Sequence, residues 1–281
     1  MSYKIVIDSC GELTDTLKKD PHFENVALGL DVDDYHILDD ETFNQAEFLQ
    51  KVKESPNCPK SSCPPPARFI DAFGEQTEHI YMVTLSSQLS GSYNSAVLAK
   101  ELYLEQHADE TANIHVFDSK SASIGETLIG MKIQEYEEAG EPFEQIVKKV
   151  EHYIDEMHTF FVLESLETLR KNGRLTGLKA MLATALNIKP VMGSTDIGSI
   201  QQLGQARGMN KALEAMVSKM LEVTKNCEEK VLAISHCNCP ERAKRVKERI
   251  EKLAHFKKIV VVDTAGVSSM YANDGGVIIA V

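Results

Sequence analysis

A two-domain α/β architecture follows from three features of the chain. Through residue 158, short runs of β-formers alternate with helical stripes at crossover spacing; two of those runs close on the same Asp-Ser pair; beyond them the rhythm changes to a hairpin and strands flanking helices. Alternation at that spacing makes successive strands run parallel, with helices on both faces of the sheet. The expectation is an N-terminal three-layer α/β/α domain with a mostly parallel sheet over residues 1–158, and a smaller two-layer α+β domain over residues 159–281.

Residues 3–8 predict a strand that ends in Asp8-Ser9-Cys10-Gly11, followed by a short polar helix from Thr14. A second strand is expected over 25–32. Residues 31–41 hold five Asp and one Glu but neither the glycine turn nor the oxygen spacing of a calcium loop, so they read as a solvated loop. Helices are expected over 43–54 and 67–73, on either side of SPNCPKSSCPPP, the most turn-rich segment of the chain. A buried strand over 79–85 and a helix over 93–105 follow, then a strand over 113–117 ending in Asp118-Ser119, and a helix over 125–139. Two strands ending in Asp-Ser suggest adjacent strand ends. After Pro142, the residues Phe143, Ile146, Val147, Val150, Tyr153, Ile154 and Met157 form a helical stripe that reads as core packing.

In the second half, strands are expected over 159–163, 230–236, 258–263 and 275–281 and helices over 165–171, 175–186, 210–224 and 240–256. A hairpin is expected from 189–193 and 199–206.

With 281 residues, 43% of them apolar, the chain can bury one large or two ordinary cores. A net charge of −12 argues against a nucleic-acid partner, whose phosphates need Lys and Arg, and against docking on anionic lipid by charge. The start MSYKIVIDSC resembles no secretory signal, and no apolar run reaches the ~20 residues of an integral membrane segment, so a cytoplasmic protein is expected. Six cysteines then read as thiols. The run His236-Cys237-Asn238-Cys239 lacks the second ligand pair of a structural zinc site, and neither metal nor cofactor is expected.

The segment YMVTLSSQLSGSYNSAVLAK, residues 81–100, joins a strand to a helix through hydroxyls and glycine. Helix N-termini favour anions through free N–H groups and the macrodipole, by ~0.3–1 kcal/mol. Ser90 or Ser92 can cap the helix, and Gly91 permits close approach. Residues 86–92 contain no Lys or Arg, so neutral donors would hold a singly charged head group; the same loop also reads as an ordinary capped turn. Prolines around Ser61 and Ser62 fix an extended backbone with the hydroxyls available, or else mark a linker. Arg170, Lys171 and Arg174 are the sharpest positive cluster, either a second anion contact or a solvated helix end.

Taken together, KIVIDSCGEL, SSCPPPARF, LSSQLSGSYNSA, VFDSKSAS, LETLRKNGRLTG and LNIKPVM resemble, in order, the motifs of the DegV family of bacterial fatty-acid-binding proteins. The resemblance implies two α/β domains with a long-chain fatty acid in the cleft between them. By position, Ser61 or Ser62 and Ser90 would bond its carboxylate, Ser86, Ser87 and Gly91 would line the same loop, and Arg174 would serve the phosphorylated acyl group. It also implies a non-catalytic carrier, with a separate fatty acid kinase as partner. Three positions depart from the pattern: Cys63 stands where the family has Gln, Pro65 stands where it often has Ser, and Tyr271 falls in its His-containing closing segment. Tyr271 can donate a hydrogen bond but cannot become cationic. The alternative is a serine-dependent lipid or ester hydrolase, with Ser90 as nucleophile and His236 or His115 as base, but no serine sits in a G-x-S-x-G elbow.

Overall fold

The computed structural model describes residues 2–74, 76–107, 112–175 and 187–281. β1 (Tyr3–Asp8), β2 (Phe23–Val26), β6 (His79–Thr84) and β7 (Asn113–Asp118) form an all-parallel sheet in the order β2-β1-β6-β7. All six residues of β6 are buried, as a strand covered on both faces requires. On one face lie α2 (Pro66–Asp71) and α3 (Ser92–Gln106), whose Phe69, Ala96 and Ala99 pack on Val6, Ile80 and Met82. On the other lie α4 (Ile124–Glu138) and α5 (Phe143–Glu156), the second presenting the predicted stripe of Ile146, Val147, Val150 and Ile154.

A six-stranded mixed sheet takes the order β10-β9-β8-β13-β11-β12. Its strands are β8 (Thr159–Val162), β9 (Ile188–Ser194), β10 (Ile200–Arg207), β11 (Val231–His236), β12 (Lys258–Asp263) and β13 (Val277–Ala280). α7 (Met209–Val223) and α8 (Pro240–Glu251) cover one face through Met216, Met220, Val246 and Ile250. The first half covers part of the other: α4 packs on β1 and β6 with one side and on β11 and β13 with the opposite side. Ile5, Tyr81, Leu128, Ile129, Ala233 and Ala280 therefore share one core. Gly130 permits this closeness, since a Cβ there would lie 2.7 Å from Ile7 Cδ1 and 3.0 Å from Phe23 Cε1.

A third sheet, β4-β3-β5, comprises β3 (Gly29–Val32), β4 (Tyr35–Leu38) and β5 (Lys60–Ser62). It corrects two expectations. Residues 25–32 break into two strands, and residues 35–38 of the expected acidic loop form the second arm of a hairpin in which Val32 pairs with Tyr35. The turn is Asp33-Asp34, with Asp33 at φ +52° and its carboxylate accepting Asn57 Nδ2 at 2.7 Å. Aspartate tolerates that left-handed conformation, which a two-residue hairpin turn demands. α1 (Gln45–Glu54) and α6 (Glu167–Lys171) lie where expected, whereas α9 (Gly266–Ala272) was not anticipated. The expected helix over 175–186 falls, apart from Leu175, outside the described residues.

Candidate functional site

β1 and β7 flank β6, so their terminal aspartates reach the β6–α3 loop from both sides. Asp8 accepts Leu85 N at 3.0 Å and Ser92 Oγ at 2.5 Å, and Asp118 accepts Ser87 N at 3.1 Å and Ser87 Oγ at 2.5 Å. Burial raises the Asp8 carboxyl above the usual range, against the pull of those hydrogen bonds. The loop is thus clamped by carboxylates. Ser86 Oγ donates to Gly198 O at 2.9 Å, tying the tip of the β9–β10 hairpin to the first sheet. Gly91 is the N-cap of α3, and Ser90 Oγ accepts Ser92 N at 3.2 Å, which leaves the Ser90 hydroxyl proton available.

Register places the other serines. Leu30 pairs with Ser61 and Gly29 with Ser62, so the two hydroxyls point to opposite faces of β5. Ser61 Oγ lies 3.1 Å from Tyr271 Oη, and Ser62 sits exposed over Gly29, where a Cβ would come within 2.5 Å of its hydroxyl. Tyr271 comes from α9, whose first N–H groups, Gly266 at 2.6 Å and Val267 at 2.8 Å, are capped from a distance by Asp39. Burial pushes the Asp39 carboxyl up to about 6. Arg174 donates through Nε to Leu89 O at 3.0 Å and through Nη1 to Asn172 O, and its guanidinium carbon lies 5.9 Å from the Tyr271 ring centre.

Ser61, Ser90, Arg174 and Tyr271 line one cavity of about 840 Å³, counted with its open mouth, between the parallel sheet and the six-stranded one. Ser62, Ser86, Ser87 and Gly91 are not among its lining residues. Its walls include Leu85, Leu89, Phe161, Leu163, Val267 and Ile278. Phe161 and Ile278 are directly opposed across β8 and β13, and the alternate residues Phe160, Val162, Val277 and Ile279 face α7 and α8 instead. Several wall residues are serines that turn their hydroxyls away: Ser123 to Glu12 at 2.8 and 2.9 Å, Ser268 to Cys10 O at 3.1 Å, and Ser121 to Thr159 Oγ1 at 2.6 Å. The cavity surface is consequently mostly apolar.

Sequence reasoning did not single out these wall residues. The nearly unbroken apolar runs TFFV and VIIA carried a signal for two covered faces, and Ser123 closes the motif VFDSKSAS without a role being assigned to it; nothing local marked Ser268. Behind the wall stand buried carboxyls. Burial pushes Glu12 up to about 8, and burial together with Asp8 and Glu12 raises Glu126 well above the usual range.

No histidine lines the cavity among the described residues. His236 faces Asp263 at 3.3 Å and accepts Cys239 N, and His115 faces Glu151 at 3.3 Å. Burial pushes the Cys237 and Cys239 thiols up to about 11, so both stay protonated near neutrality. Among the described residues no group of His, Cys, Asp or Glu is arranged to hold a metal ion, and no helix is long and apolar enough to cross a membrane.

A family model described as uncharacterised protein, DegV family, matches residues 2–281. The chain belongs to the DegV family. A DegV domain-containing protein of Streptococcus gordonii is 34% identical to this DegV chain over 281 residues, spanning 99% of it and 98% of the relative. A solved DegV-family structure from Ruminococcus gnavus, described with vaccenic acid, is 53% identical, covers 100% of both chains and superposes with a TM-score of 0.97. The Streptococcus pneumoniae fatty acid kinase B3 protein, loaded with linoleic acid, is 30% identical, covers 100% of this DegV chain and 99% of its own, and has a TM-score of 0.89.

Proposed function

We propose that this chain binds a long-chain fatty acid, with its tail in the apolar cavity and its carboxylate at Ser61, Ser90, Tyr271 and Arg174, and presents it as a carrier to a separate fatty acid kinase. The observation that carries the reading is the cavity itself, apolar along its walls with three neutral hydroxyls and one guanidinium gathered among its lining. Burying about fourteen methylenes at ~0.8 kcal/mol each gives a gross ~11 kcal/mol before ordering costs, so the tail supplies most of the affinity. The hydroxyls and Arg174 then set which end enters. The names of the relatives support this reading, since the Ruminococcus gnavus and Streptococcus pneumoniae proteins are described with fatty acids and the latter is named for a fatty acid kinase. Among the described residues no histidine lines the cavity beside Ser90, which favours the carrier reading over the hydrolase alternative.

Native mass spectrometry of freshly purified protein, followed by denaturing extraction and lipid identification, tests the proposal. One fatty acid per chain is expected. A chain that purifies empty and stays empty after incubation with fatty acids would overturn it. The head-group assignment is tested by Ser61→Ala combined with Ser90→Ala, expected to weaken fatty-acid binding by roughly a hundredfold or more through loss of two charge-assisted bonds, whereas Ser62→Ala is expected to leave it unchanged.

A further inference from the structure

The head-group end of the cavity has an unusual charge balance for an anion site. Arg174 and Lys120 are the only cations that line the cavity among the described residues, and Lys120 is paired with Asp155 at 2.6 Å. Arg174 already gives two donors to the carbonyls of Leu89 and Asn172, which hold its plane beside the Tyr271 ring. The remaining donors, Ser61, Ser90 and the Tyr271 phenol, carry no charge. Burial raises the phenol above its ordinary range, so it serves as a neutral donor at any physiological pH, and a phenol has no cationic form.

We propose that Arg174 and Tyr271 make this site selective for a monoanionic head group, so that the free carboxylate of a fatty acid is held in preference to an acyl phosphate. The inference rests on the fatty-acid reading above and adds to it the charge state of the ligand. A carboxylate brings one negative charge to one guanidinium and leaves the site neutral. A phosphoryl head brings nearly two at neutral pH and leaves an excess negative charge partly out of water, opposite a single guanidinium and in a chain of net charge −12. The hydroxyls can solvate that excess but cannot neutralise it. A carrier of this kind takes up free acid readily and holds a phosphorylated product more loosely, which suits a partner reaction that phosphorylates the carboxylate.

The test is displacement of a fluorescent fatty acid from the intact chain by two probes: a sixteen-carbon fatty acid, and the 2-oxoalkyl phosphonate of matched tail length, a non-hydrolysable stand-in for the acyl phosphate. At about pH 8 the acid is expected to displace the reporter at roughly one-tenth the concentration of the phosphonate or less. In Tyr271→His that ratio is expected to shrink at about pH 6, where imidazole is cationic, and to widen again at about pH 8. Equal or tighter binding of the phosphonate by the natural chain overturns the inference while leaving the fatty-acid reading intact. Reporter binding that neither probe displaces overturns both. The comparison in the natural chain decides the matter even if Tyr271→His does not fold.

Discussion

Glu12 shows how much one buried side chain controls. Its carboxyl rises from 4.5 to about 8 because burial disfavours the charged form more than Ser123 and Ser268 stabilise it. The folded state therefore binds more protons than the unfolded chain, and stability falls as pH climbs from about 4.5 to about 8, then levels. Glu12→Gln is expected to flatten that fall by an amount on the order of 3 kcal/mol, read as the difference between urea midpoints at about pH 5 and about pH 8. An unchanged slope would place the titration elsewhere in the cluster. Ser61 and Ser62 show what sequence leaves open at this level. Both were candidates because proline-rich flanks expose hydroxyls, but only pairing with β3 assigns Ser61 to Tyr271 and Ser62 to Gly29.

Secondary-structure elements were most legible where their periodicity was one-sided. α5 carries a single apolar stripe and lies within a residue of its expected ends. α9, GVSSMYA, has glycine, two serines and a β-branched residue in seven positions; it is helical because Asp39, far off in sequence, caps it. α4 is buried on two sides, and this explains why Gly130 resists improvement. Alanine would gain ~1 kcal/mol in helix propensity, but its methyl would crowd Ile7 and Phe23, and overpacking costs ~1–3 kcal/mol. Gly130→Ala is expected to lower the thermal midpoint, measured by calorimetry. At the β9–β10 tip, Gly198 has φ +84°, and a Cβ there would lie 2.3 Å from Ser86 Oγ and 2.8 Å from Lys120 Cα. Gly198→Ala is expected to cost ~1–3 kcal/mol and to release bound lipid faster, since the hairpin would no longer seat against Ser86; a lipid off-rate equal to that of the natural chain would sever the latch from retention.

For the molecule as a whole, the cavity lies where the parallel sheet and the six-stranded sheet approach each other next to α4. A ligand filling it touches both halves and should hold them together. Delipidated protein is expected to melt below the loaded form, by the equivalent of ~2.7 kcal/mol when free ligand stands at about a hundred times its dissociation constant. Differential scanning fluorimetry before and after lipid extraction measures this, and coincident melts would count against lipid binding to the folded chain.

The order of residues by itself determined the alternation of strands and helices, the parallel first sheet and the serine-rich loop after β6, because period-two and helical patterns and capping hydroxyls are local. The acidic surface follows from composition alone. Tertiary structure decided which serines face the cavity, that α4 serves both sheets, that Asp39 makes a helix of 266–272, and that Arg174, Tyr271, Ser61 and Ser90 line one space. Those outcomes depend on strand register and on contacts between residues dozens to hundreds of positions apart, and no short-range pattern encodes such distances.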